Sequence, residues 1–253
     1  MRRFLHDTVV MTRRSLLLMA RTPQVVIFAS IQPMLFVLLF RYVFGGSIRV
    51  PGYGSYVDYL IPGIIVQTTL FGGSSVAVAA ARDLSYGVTD RFRSLPMSRA
   101  AILTGRTIAY VVRNLLTLSL VTLVGMVVGF RFHTSIPHIV LAVGVALLFG
   151  YAFSWFFTLI GLLVRDAEAA QIVGFLPIFP LVFAASTFAS PRTMPPWLRW
   201  FAEHQPVTYV ADAIRALTQG VVPATSPALH AVAWSAGVML VSGVLAVRRF
   251  RTM

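Results

Sequence analysis

Long apolar stretches alternate with short polar ones along the whole chain, and their lengths predict an all-α integral membrane protein. Crossing a hydrocarbon core of about 30 Å takes about 20 mostly apolar helical residues. Six stretches fit that measure: residues 24–44, 57–81, 115–130, 136–164, 169–189 and 228–247. The third is predicted to start as a helix near Ser98, before its most apolar part. The fourth is longer than a bilayer needs and is expected to tilt or protrude. Pro177 and Pro180 lie inside the fifth, which predicts a kink or break there.

The polar positions between the spans carry patterns of their own. Over residues 2–22, Arg2, Arg3, His6, Asp7, Arg13, Arg14 and Arg21 fall within an arc of roughly 140° on a helical wheel. Phe4, Leu5, Val9, Met11, Leu16, Leu18 and Met19 fill most of the other side. This pattern predicts an amphipathic helix lying flat in the headgroup layer, ended by Pro23. A signal peptide fits less well, because the polar region is long and no small-x-small cleavage site follows. Between the fifth and sixth spans, residues 190–227 contain MPPWLRWFAEH and VTYVADAIRAL, which predict short amphipathic extracellular helices. Trp197, Trp200 and Phe201 are expected to sit in the outer headgroup region or to close over a central cavity.

Charge orients the spans. The chain is 57% hydrophobic and 11% charged, less than half the charged share of an ordinary soluble domain. Its net charge of +13 comes from arginine alone, with no lysine. Fourteen arginines fall on one side of the spans, in the N-terminal segment, the second-to-third loop, Arg165 and the C-terminal segment. Six fall on the other: Arg41, Arg49, Arg131, Arg192, Arg199 and Arg215. The positive-inside rule then predicts a multi-pass plasma-membrane protein with both termini in the cytoplasm. Basic residues gathered at span ends are membrane topology signals, so nucleic acid is not an expected partner. Arg113 lies within the third helix near its cytoplasmic end and is expected to snorkel to the interface.

Several chemistries are excluded. There is no cysteine, so neither disulfides nor thiolate sites form. His6, His133, His138, His204 and His230 show no metal-ligand spacing, and Asp166 with Glu168 beside Arg165 reads as a helix cap. Neither a catalytic nor a metal site is predicted. A Walker A motif needs a lysine, which the chain lacks. With Asp58 placed at an interface, no span contains a buried carboxylate, which speaks against an ion-coupled secondary transporter. A membrane enzyme would need polar groups converging at one depth, and none do. Energy for transport must therefore come from a partner. The stretch DRFRSLPMS, residues 90–98, suits that role: Phe92 and Leu95 share a helical face flanked by Arg91 and Arg93, with Thr89 or Asp90 as cap and Pro96 as stop. The residues alone fit two readings, a helix seated in a partner's groove and a loop lying on anionic lipid.

The order of features resembles the membrane subunit of an ABC-2-type exporter. The second-to-third loop carries Asp83, Gly87, Leu95, Pro96 and Ser98, followed by Ile102, Leu103, Gly105 and Arg106. The fifth-to-sixth segment carries Pro195, Trp197, Pro206 and the Ala-Ile-Arg of residues 213–215. RFRSLPMS, GFRFH and HQPVTYV are most similar to the daunorubicin/doxorubicin-resistance branch. The resemblance implies one ABC-2-type transmembrane domain over residues 1–253, with a connecting helix at 2–22, a cytoplasmic coupling loop at 82–106 and an extracellular segment at 190–227. It implies two membrane subunits, as a homo- or heterodimer, and two cytoplasmic ATPase subunits that hold ATP and magnesium, with no cofactor in this chain. Arg91, Phe92, Arg93 and Leu95 would couple to the ATPase. Hydrophobic drugs or lipids would pass outward along Gln67, Thr68, Thr69 and Phe71 of the second span and Phe175, Phe179, Phe183 and Phe188 of the fifth. Polysaccharide export by the same architecture is the alternative.

Overall fold

The computed structural model describes residues 2–21, 23–46, 48, 50–86 and 99–252. Among these residues every regular element is a helix. The chain runs through α1 (Arg2–Arg21), α2 (Pro23–Leu39) with a π-helical turn at Phe40–Phe44, and α3 (Tyr56–Ser85). It continues with α4 (Arg99–Val128), α5 (Ile136–Val164), α6 (Ala167–Phe175) and α7 (Ile178–Phe183). After a short 3₁₀ turn at Pro191–Thr193 come α8 (Pro196–His204), α9 (Pro206–Gln219) and α10 (Thr225–Thr252).

Among the described residues four helices are long and apolar enough to cross a membrane: Tyr56–Ser85, Leu103–Val128, Ile136–Val164 and Thr225–Phe250. Of the first and fifth predicted spans, the first is α2 with its π turn and the fifth is the broken α6–α7 pair. Local sequence explains where each element stops. Ser55 caps α3 by accepting from the Val57 amide at 3.3 Å. Asp166 caps α6 through the Ala169 amide at 2.8 Å. Pro206 opens α9, and Gly220, at φ 70°, closes it in the left-handed conformation that glycine adopts without strain. The fifth stretch breaks where its prolines predict, between Phe175 and Ile178. Its helix ends at Phe183 rather than at residue 189, and an irregular segment leads on to Ser190.

α3 is the central post. Nearly every side chain from Tyr56 to Leu70 is buried, on all faces rather than on one stripe. α4, α5, α6 and α9 pack around it, and α10 lies against α5. α1 does more than rest on lipid, because its Thr8 and Met11 face is buried against α4. Val9, Val10 and Leu17 remain exposed on its other side. The crossing is close because Gly105 has no side chain; a Cβ there would meet Met11 Cβ at 2.6 Å. α9 is driven into the bundle between α3, α5 and α10, so the segment predicted as an outer amphipathic helix is almost wholly buried.

Candidate functional site

The phenylalanines of the second and fifth spans form one ladder. Phe71 on α3 meets Phe175 edge-on at 5.5 Å and Phe179 at 6.1 Å. Phe179 stacks on Phe183 at 5.7 Å, and Phe183 lies 5.4 Å from Phe188. Phe188 stacks on Phe40 of the π turn at 4.4 Å with an interplanar angle of 8°, and Phe40 reaches Phe44 at 5.2 Å. Spacings of this kind give each aromatic pair about 0.5–1.5 kcal/mol beyond burial. Phe179 and Phe183 keep about half their surface exposed, whereas Phe188 is buried. All five phenylalanines predicted for the path thus share one continuous feature. Sequence reasoning missed that it extends through Phe40 and Phe44 of the first span.

The polar members of the predicted path divide. Gln67 and Thr68 line a cavity of about 160 Å³ together with Phe71, Arg113, Asn114 and Phe175. Thr69 lies elsewhere, fully buried in the α3–α4 seam. Its hydroxyl donates to the Ile65 carbonyl at 2.9 Å and accepts from Asn114 Nδ2 at 3.3 Å. Gln67 Oε1 and Thr68 Oγ1 are buried with no hydrogen-bond partner. Arg113, expected to reach for the interface, is half-buried beside α3. Its guanidinium turns onto α3, donating to the Gly72 carbonyl at 2.8 Å and to Ser75 Oγ, with its Cζ 5.3 Å from the Tyr110 ring centroid. Asp58 departs from expectation: it is 6% exposed and accepts from the Arg131 amide at 3.2 Å. It lies in the first turn of α3, far from the cavity in sequence.

Above the ladder the irregular end of the fifth span is held by side chains from α3 and α9. Arg215 is fully buried, and a buried charge requires close partners. Its Nε donates to the Tyr59 carbonyl at 2.9 Å, one terminal nitrogen to Ser186 Oγ at 2.8 Å, and the other to the Ser186 and Thr187 carbonyls at 2.6 and 3.2 Å. Its Cζ stands 3.6 Å from the Tyr59 ring centroid. Asp212 supplies a countercharge at 2.7 Å, but its carboxylate is 42% exposed and partly screened. Tyr59 and Tyr56 hydroxyls donate to the Ser186 and Phe188 carbonyls at 2.7 and 2.9 Å, and Gln205 donates to those of Leu181 and Ala184 at 2.8 and 3.0 Å. Backbone released from a helix inside a bundle is tolerated only when it is satisfied in this way.

At the α1 end, Asp83 and Arg106 form an ion pair across the base of the 82–106 loop. Arg91, Phe92, Arg93 and Leu95, predicted to couple to a partner, lie outside the described residues. Among the described residues no group of histidine and acidic side chains is placed to hold a metal ion.

Four membrane-length helices among the described residues, a buried central post and a ladder of aromatic side chains along a broken span make this a multi-pass membrane protein. Residues 6–218 match the family described as ABC-2 type transporter. The chain belongs to that family, as a membrane subunit distinct from the subunit that hydrolyses ATP. It is 29% identical over 238 residues to the daunorubicin resistance ABC transporter permease protein DrrB1 of Streptomyces coeruleorubidus, covering 94% of this chain and 83% of that protein. It is 30% identical over 243 residues to the probable doxorubicin resistance ABC transporter permease protein DrrC of Mycobacterium tuberculosis, covering 96% and 87%. The putative transport permease ycf38 of Cyanophora paradoxa is more distant, 24% identical over 217 residues.

Proposed function

We propose that this chain is the membrane-spanning subunit of an ATP-driven exporter that moves hydrophobic drugs or lipids outward. α2 with its π turn and the broken α6–α7 pair count as the first and fifth of six spans, and both termini face the cytoplasm. A second membrane subunit covers the ladder at Phe179 and Phe183, and substrate moves along that aromatic surface. ATP and magnesium bind on separate ATPase subunits. These dock on residues 82–106 through Arg91, Phe92, Arg93 and Leu95.

The observation that carries this reading is the unbroken aromatic ladder, from Phe175 to Phe44, open along one side of the chain. An apolar track suits an oily cargo, and its half-exposed rungs suit a partner of the same kind. The Asp83–Arg106 pair supports the docking role, since it ties both ends of the loop to the bundle so that a push on the loop reaches α3 and α4 together. The relatives named for daunorubicin and doxorubicin resistance favour drug-like cargo over glycans. Replacing Phe92 and Leu95 together by aspartate is expected to abolish co-purification of the ATPase in detergent. An intact complex with normal coupled transport would overturn the docking assignment.

A further inference from the structure

Two cavities share a wall at Arg113. The inner one is the chamber of about 160 Å³ beside Gln67 and Thr68. The outer one, about 430 Å³, lies between α1, α3 and α4. Ser75, Tyr110 and Arg113 line both. Charge in the two is one-sided. Arg14, Arg82, Arg106 and Arg113 line the outer cavity, against the single carboxylate of Asp83, which is already paired with Arg106. Among the described residues Arg113 is the only charged one lining the inner chamber. The rest of that lining is amphipathic. Phe71, Phe175 and Pro33 are apolar, while Gln67 Oε1 and Thr68 Oγ1 are buried without partners. A buried polar atom of this kind costs free energy until a ligand or water meets it. Gln67 Oε1 can only accept, so what meets it must donate.

We propose that the paired cavities bind the headgroup of an anionic amphiphile that also carries hydroxyl groups. The outer arginines gather a phosphate or carboxylate headgroup from the leaflet beside α1, where Met11, Leu18 and Met19 offer an apolar side. Arg113 then holds the anion, and headgroup hydroxyls reach Gln67 Oε1 and Thr68 Oγ1. The acyl chain leaves along Phe71 and Phe175 toward the ladder. A cationic amphiphile is disfavoured, because it would face Arg113 with no carboxylate in the chamber to offset the repulsion. As a statement about cargo this rests on the exporter reading, for which it names the substrate class. As a binding site it does not.

The chain contains no cysteine, so one introduced thiol reports on the chamber. Gln32 is exposed on α2 and borders it. Full-length Gln32→Cys, purified in an uncharged detergent, would be reacted with a maleimide. Lysophosphatidylglycerol is expected to slow labelling about fivefold, as occupancy of about four-fifths requires. Lysophosphatidylcholine, doxorubicin and tail-free glycerol 3-phosphate are expected to leave the rate unchanged. In the same background Arg113→Gln should remove the protection and Arg113→Lys retain part of it. Gln67→Leu should raise the half-protecting concentration about fivefold, one neutral hydrogen bond's worth. Equal protection by doxorubicin or lysophosphatidylcholine, or none by lysophosphatidylglycerol, would overturn the proposal; protection by glycerol 3-phosphate would overturn the lipid source. If Arg113→Gln fails to run as a monodisperse peak, Gln67→Leu and the selectivity of Gln32→Cys decide the matter. The measurement needs neither ATP nor partner, so its failure leaves the exporter reading standing. A failed ATPase pull-down leaves this site standing.

Discussion

Arg215 concentrates at one residue the chemistry that holds the fifth span in its broken form. Five hydrogen bonds and the Tyr59 ring meet a guanidinium that is 1% exposed. Most of its acceptors are main-chain carbonyls of Ser186, Thr187 and Tyr59, which a truncated side chain would leave unpaired inside the bundle. Removing one partner of such a buried polar cluster costs about 3–5 kcal/mol. Arg215→Ala is expected to lower stability by that order, read as a reduced unfolding midpoint in detergent. Arg215→Lys should recover only part, because an ammonium lacks the planar fork that reaches several acceptors at once. A midpoint unchanged in Arg215→Ala would mean the cluster contributes little. In the sequence Arg215 is visible only as one arginine of an outer segment and as the end of an Ala-Ile-Arg pattern. Its acceptors at Ser186 and Tyr59 lie 29 and 156 residues earlier, and no local periodicity records those distances.

Among elements, the crossing of α1 and α4 is the sharpest case. The amphipathic wheel of residues 2–22 predicts a helix on a surface and gives its length to within one residue. Which surface it chooses is set by Gly105, where Met11 Cβ, the Thr12 amide and the Thr8 carbonyl come within 2.6 to 3.1 Å of a would-be Cβ. Overpacking a contact of this closeness costs about 1–3 kcal/mol. Gly105→Leu is expected to lower the unfolding midpoint accordingly and to make α1 a faster target for limited proteolysis. Gly144→Leu, whose Cβ would meet nothing within 4 Å, should change neither. Equal effects from the two substitutions would show that crowding at α1 is not the cause. The fifth span teaches the same distinction. Pro177 announces the break, but the early end at Phe183 follows from acceptors claimed by Gln205, Tyr56, Tyr59 and Arg215, none of them local in sequence.

For the molecule as a whole, the exposed rungs matter most. Phe179 is 51% and Phe183 46% exposed in a single chain, beside the half-open Phe44. If a second copy covers them, Phe179→Cys in this cysteine-free chain should give a reducible dimer band after mild oxidation in membranes. Leu240→Cys, no less exposed on α10 but away from the ladder, should not. A band from Leu240→Cys alone would move the subunit contact to α10, and a band from neither would exclude self-pairing through the ladder.

Local physics made the membrane class, the helical content and several boundaries legible. Residues 136–164 coincide with α5 because a long apolar run between Ser135 and Arg165 leaves a helix no other place to stop. The same locality exposed the breaking prolines, the capping role of Asp166 and the absence of nucleotide-binding motifs, since each depends on neighbours in the chain. Tertiary structure alone decided that Arg113 binds the α3 backbone at Gly72, that Asp58 is buried, that Thr69 serves a helix seam and that α9 enters the bundle. Those outcomes depend on which backbone carbonyl or ring arrives from a distant segment. A hydropathy pattern records how deep a residue lies, but not which neighbour it meets there.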